Sequence, residues 1–269
     1  MKKESTPMKG LLSKAGNPAY IAGIYNYCDR WCERCAFTRR CMVYTIDEEM
    51  FPDQESRDIN NKKFWDALHR IFAQTMNLLQ KFASEEGIDI NDVDVSAEET
   101  RTRERMKEAK NSPPAQAARK YSIMADTWFE QHASLFEDKD IRLRNEVTLG
   151  IGTPKADAAN ITDAVEVIHW YQDQIWVKLM RALDMDDIEG DELDEEMNEF
   201  PSDSDGSAKV ALIGIDRSIG AWGTILIHCA EAGESIMEIL IHLGRLREEI
   251  EDRFPDARRF VRPGFDQEI

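Results

Sequence analysis

Apolar residues recur at three- and four-residue intervals in four long segments of this chain, and no long stretch alternates with period two. A helix returns the same face every 3.6 residues and a strand every two, so the spacing predicts an all-α fold. The expected architecture is a four-helix-bundle-like core carrying an N-terminal cysteine-rich segment and a short surface helix.

The first stripe joins Phe64, Leu68, Ile71, Phe72, Leu78, Leu79 and Phe82 on a helix from about Asn61 to Ser84, which Gly87 ends. Ser96, with Glu99 three residues on, reads as a capping box opening a short, polar surface helix through Lys110. A second core helix begins near Ala115, with Tyr121, Met124, Ala125, Trp128, His132, Leu135 and Phe136 on one side. Asn160 reads as the N-cap of a third, running to about Leu183. The fourth, from about Ser207 to Arg253, is long enough to require a kink, expected near Gly220 or Gly223.

A chain of 269 residues that is 42% hydrophobic suits one large core or two modest ones and excludes wholesale disorder. The division expected is a metal-binding segment, 1–50, packed on a bundle domain, 51–269, that contains an acidic linker at 184–206. The most apolar stretch, 210–230, is interrupted by Asp216 and Arg217, so no membrane span is expected. Glu4-Ser5-Thr6-Pro7 follows Lys2 and Lys3 where a secretory signal would be apolar, which makes the cytoplasm the expected location.

The net charge of -18 is unevenly spread. Residues 1–41 hold eight Lys or Arg against three acids, so the remainder of the chain carries -23. Twelve acids and no base lie between Asp184 and Asp205, a composition expected to keep that stretch extended as a linker between helices. A chain this acidic repels phosphate on average, which argues against nucleic acid as a partner and leaves a redox or protein partner as the expectation. Two basic exceptions are Arg30 to Arg40 and the tail, where Arg253, Arg258, Arg259 and Arg262 mix with Phe260 and Phe265.

Four of five cysteines fall within fourteen residues, as Cys28-x3-Cys32-x2-Cys35-x5-Cys41. Without a secretion signal, such a cluster points to metal ligation by thiolates rather than to stable disulfides. On a helix, positions 28, 32 and 35 share one face and 41 points elsewhere, so the backbone must turn within 36–40 to close a four-thiolate site. Zinc and an iron-sulfur cluster both accept four thiolates. Ligands drawn from one compact run favour a 4Fe-4S cluster, and structural zinc is the alternative. Arg30, Arg34, Arg39 and Arg40 would offset the cluster's negative charge, while Tyr25, Tyr27, Trp31, Phe37 and Tyr44 would exclude water. Cys229 lies on an apolar stripe and reads as a core residue.

The run from Cys32 to Cys41 resembles the three-cysteine run that holds a 4Fe-4S cluster in cluster-bearing nucleases, and Cys28, Cys32 and Cys35 match the spacing of radical SAM enzymes. Each resemblance covers fewer than twenty residues. It implies a cluster and not an activity, because the chain lacks a βα-barrel pattern and a nuclease core.

A rival site lies in the bundle. Glu166-Val167-Ile168-His169 sets a carboxylate and an imidazole on one helix face, as in di-iron carboxylate bundles, but the second Glu-x-x-His step is missing. Further ligands would come from Glu130, His132, Glu231, Glu234, Glu238 and His242. His132 and His69 also read as satisfied core histidines. Gly150-Ile151-Gly152 lacks the third glycine and the lysine of a phosphate-cradling loop. The reading is therefore an iron-sulfur protein for electron transfer or redox sensing, with a zinc-stapled interaction module and a di-metal oxidoreductase as alternatives; whether it is an enzyme stays open, as does its oligomeric state.

Overall fold

The computed structural model describes residues 14, 16–89, 94–192 and 202–266, with the backbone alone described over 186–192. Helices and 3-10 turns make up the regular structure among those residues, as the periodicity predicts. The helices are α1 (Met42–Met50), α2 (Gln54–Arg57), α3 (Lys62–Glu85), α4 (Ser96–Asn111), α5 (Pro113–Gln131), α6 (Ala133–Leu149), α7 (Pro154–Glu192), α8 (Asp203–His228) and α9 (Gly233–Arg253). The chain forms two compact units, one of residues 1–100 and 262–269, the other of 101–261, so the division does not fall near residue 50.

The larger unit is a bundle built on α7 and α8, its most extensive helix pair, with α5, α6 and α9 packed around them. Gly214 of α8 permits the close approach, since a Cβ there would stand 3.0 Å from both Tyr171 and Ile175 of α7. Ile168, Tyr171, Ile175 and Leu179 of α7, Leu212, Ile215 and Trp222 of α8, and Ile236, Ile239 and Leu243 of α9 are all buried. Each such aliphatic side chain contributes about 1.5–3 kcal/mol relative to exposure. Trp222 sits at the centre: its Nε1 donates to the Tyr121 hydroxyl (3.2 Å), and its ring meets Trp128 edge-on at 5.0 Å. By length and composition α8 is also able to cross a membrane, yet half of the qualifying stretch is buried in this core.

Several helix bounds differ from the sequence reading. The third core helix starts at Pro154, with proline in the first turn where its missing N–H costs nothing, so Asn160 lies inside the helix. The same helix runs through the acidic stretch to Glu192, so residues 184–192 are helical rather than linker; residues 193–201 lie outside those described. Here α7 is anchored by buried Leu179, Ala182 and Leu183, and Asp184 pairs with Arg105 of α4. The second core helix breaks at His132, giving α5 and α6. The long fourth helix breaks not at Gly220 or Gly223 but at Cys229, followed by a 3-10 turn at Ala230–Ala232, and α9 then packs against α5 and α8. Packing of α9 onto two neighbours sets the position of that break, which helical spacing alone does not register. At the start of α4, Asp94 rather than Ser96 supplies the cap, its Oδ1 accepting the Ser96 amide at 2.9 Å.

In the smaller unit, Asn61 caps α3 by accepting the Lys63 amide at 3.0 Å. Gly87, at φ +71°, ends it with a bond from the Ile88 amide to the Ala83 carbonyl, a left-handed stop that glycine adopts without penalty. The stripe expected to be core is largely open on this helix: Phe72, Leu79 and Phe82 are exposed, as is His69.

Candidate metal centre

The cysteine segment is not an α-helix. The chain turns sharply at Arg30, the one non-glycine residue with positive φ (+59°) among those described. Two 3-10 turns follow, at Cys32–Arg34 and Thr38–Arg40, before α1 begins. A left-handed residue costs an L-amino acid about 1–2 kcal/mol, so this turn is sustained by its surroundings. Asp29 Oδ1 accepts the Trp31 amide at 3.2 Å, and the Arg34 guanidinium lies 4.0 Å above the Trp31 ring. The expected common helix face is thus replaced by successive tight turns, and the turn required within 36–40 is present.

These turns bring Cys28, Cys32, Cys35 and Cys41 to line one small cleft of about 20 Å³, walled by Ile24, Tyr25, Asp29, Arg30, Trp31, Thr38, Tyr44 and Phe265. All four are free thiols and half-buried. Cys35 Sγ accepts the Phe37 amide at 3.4 Å, and Cys41 Sγ accepts the Tyr44 amide at 3.5 Å while capping α1. Such N–H bonds favour the thiolate and tune a bound metal. Cys28 Sγ instead donates to the Tyr25 carbonyl at 3.5 Å, a bond that its deprotonation would end. Burial, and then the neighbouring sulfurs of Cys28, Cys35 and Cys41, push the Cys32 thiol up to about 11. Burial also raises Cys35, against the opposing pull of the Phe37 amide. A cation among the sulfurs would reverse both effects by favouring thiolate. Among the described residues, however, no three His, Cys, Asp or Glu side chains are drawn together tightly enough to hold a metal ion as they stand. The thiols share a cleft without closing on a common centre.

The far wall comes from the end of the chain. Phe265 meets Phe37 edge-on at 5.2 Å, and Arg262 lies 4.8 Å above the Phe265 ring while its guanidinium bonds Asp266 at 2.9 Å. Gly264, at φ +77°, lies against Ile21 and Ile24, where a Cβ would come within 2.9 Å of Ile21 Cδ1. Sequence reasoning placed Tyr25, Trp31 and Tyr44 near the site. It missed Ile24, Thr38 and Phe265, since nothing local marks a residue this far along the chain as a neighbour of Cys41. Arg30, Arg34, Arg39 and Arg40 are exposed, leaving the segment's positive charge facing solvent.

The rival site is not assembled. Glu166 and His169 lie on the exposed side of α7, with the His169 ring against Phe129 at 4.5 Å. Glu130, Glu234 and Glu238 are exposed, and Glu231 pairs with Arg142 at 3.5 Å. His132 binds the Trp128 carbonyl through Nδ1 at 2.8 Å and stacks on that indole at 4.7 Å, the satisfied histidine expected. His242 Nε2 binds the Ala117 carbonyl at 2.8 Å. Cys229 is buried, as read, at the C-terminal end of α8. No family model, curated protein or solved structure matches this chain.

Proposed function

We propose that Cys28, Cys32, Cys35 and Cys41 hold one 4Fe-4S cluster and that the protein serves electron transfer or redox sensing in the reducing cytoplasm. The observation that carries this reading is the convergence of four free thiols on one aromatic-walled cleft. Its donor set suits the group: four sulfurs, two already accepting backbone N–H bonds. Four cysteines drawn from one compact run suit a cluster, and structural zinc is the alternative.

When bound, the cluster supplies a one-electron redox step. The chain does the rest. Trp31, Tyr25, Tyr44 and Phe265 restrict water, the Phe37 and Tyr44 amides stabilise negative charge on sulfur, and Arg30 on the cleft wall offsets part of the charge of the thiolates. With all four thiolates engaged, no iron remains open to a substrate, which favours electron transfer or sensing over direct catalysis.

Anaerobic reconstitution with iron and sulfide tests the proposal. The expected product is brown, carries four iron and four sulfide per chain, and bleaches with dithionite. A colourless protein that binds one zinc per chain and no sulfide overturns it.

A further inference from the structure

Positive charge that the chain does not compensate lies beside the cysteine cleft. Arg30 lines the cleft, and Arg39 and Arg40 sit in the 3-10 turn between two other lining residues, Thr38 and Cys41. All three side chains are exposed, and none pairs with an acid of this chain. The acids of the helix that follows are engaged elsewhere, Asp47 and Glu48 by Arg57 and Glu49 by Lys14. Asp29 accepts the Trp31 amide, and Asp266 holds Arg262. Glu33 is exposed as well, yet residues 28–41 keep four arginines against two acids in a chain whose net charge is -18. Unpaired charge of a sign opposite to that of the whole molecule draws in a partner at that place and not at others.

Resting on the cluster reading above, we propose that these arginines dock an acidic one-electron carrier protein, which exchanges one electron with the cluster. With every iron held by a thiolate, what passes through the cleft is an electron and not a substrate, so the partner must bring its own redox centre up to the cleft wall. The cations there select an acidic surface around that centre. Weak redox encounters bury less than about 1,200 Å², a footprint that a few arginines suffice to orient. Nucleic acid fits less well. Counterion release from a duplex draws on roughly six to ten phosphate contacts, more than three arginines supply, and the Trp31 ring, a candidate stacking platform, already carries the Arg34 guanidinium at 4.0 Å.

Stopped-flow mixing of the reconstituted, oxidised full-length protein with fully reduced flavodoxin, an acidic flavin protein, tests the proposal. The reduced flavin, an anion, loses one electron and becomes its neutral blue radical; the cluster gains that electron, and no proton moves. Both proteins are negative overall, so whole-molecule charge alone makes the rate rise as salt screens repulsion. Docking at the arginines makes it fall. Between about 0.1 and about 1 M salt the Debye length shrinks from about 10 to about 3 Å, and the rate is expected to drop about tenfold over that range. Arg39→Glu combined with Arg40→Glu is expected to lower the rate about tenfold at the low-salt end and to reverse the salt trend. Each rate is taken relative to the same variant's rate with uncharged duroquinone, which no surface charge steers. Should the double reversal fail to take up the cluster, Arg39→Gln with Arg40→Gln is expected to lower the rate about threefold.

A rate that rises with salt in the unaltered protein, or a charge reversal that leaves its fall intact, overturns the proposal. So does duplex DNA that binds and is released by the same substitutions, or a dimer of this chain that they split. Failure to take up iron and sulfide is a separate result, read before any carrier is added: it removes the cluster reading itself, and this proposal with it.

Discussion

Replacing Gly264 by alanine isolates what the chain end does for the cysteine cleft. The backbone there is left-handed, at φ +77°, which costs an L-residue about 1–2 kcal/mol. The new methyl would also stand 2.9 Å from Ile21 Cδ1, 3.1 Å from Ile24 Cδ1 and 3.2 Å from Ile21 Cγ2. Ile24 is 2% exposed and has little room to move, whereas half-buried Ile21 can shift. Overpacking of this kind costs about 1–3 kcal/mol, so the total is roughly 2–5 kcal/mol, with the mobile Ile21 favouring the lower half. Detachment of residues 262–266 is the cheapest relief, and it removes Phe265 from the cleft. A cost of about 2 kcal/mol corresponds to roughly a thirtyfold rise in the detached fraction. Pulsed alkylation of the reduced, metal-free protein, read by peptide mass spectrometry, should show Cys28, Cys32, Cys35 and Cys41 labelling faster while buried Cys229 does not change. Gly87→Ala is the matched control: its φ is +71° but nothing lies within 4 Å of the added methyl, so it carries the backbone penalty alone and leaves the cysteines unaffected. Labelling at the wild-type rate in Gly264→Ala, or equal acceleration by Gly87→Ala, would refute the reasoning.

Three other outcomes are expected. Serine at any of Cys28, Cys32, Cys35 or Cys41 should sharply reduce iron retained after reconstitution, while Cys229→Ser should leave it unchanged; iron and sulfide assays read both. On α8, Gly214→Ala should destabilise the larger unit by about 1–2 kcal/mol, because overlap with buried Tyr171 and Ile175 exceeds the gain in helix propensity, whereas Gly220→Ala, with open space around it, should stabilise by up to about 1 kcal/mol. Urea unfolding would distinguish them by sign. Trp222→Ala should cost about 3–5 kcal/mol in the same assay, since it empties the centre of the aromatic cluster and strips the Tyr121 hydroxyl of its indole donor.

Helical class was readable because periodicity is a local property, and so were Gly87 as a stop and His132 as a satisfied histidine. Helix ends were harder. The break at Cys229 and the extension of α7 to Glu192 are set by packing: α9 must lie against α5 and α8, and Leu183 is held in the core, so the helix continues into charge that by itself favours an open chain. For the site, four thiols in fourteen residues announced themselves, but the path between them did not. A left-handed Arg30 and two 3-10 turns have no spacing signature, and an i, i+4, i+7 pattern reads as a helix whether or not one forms.

The sequence by itself determined the helical class and the concentration of thiols and positive charge near the start, because each depends on residues close together in the chain. Only the tertiary structure decided that the smaller unit draws on both chain ends, that Phe265 stands over the cysteines, that Glu166 and His169 face outward, and that the α3 stripe is open. Those are contacts between distant residues, whose free energy comes from burying surfaces together, and one-dimensional spacing carries no record of which surfaces meet.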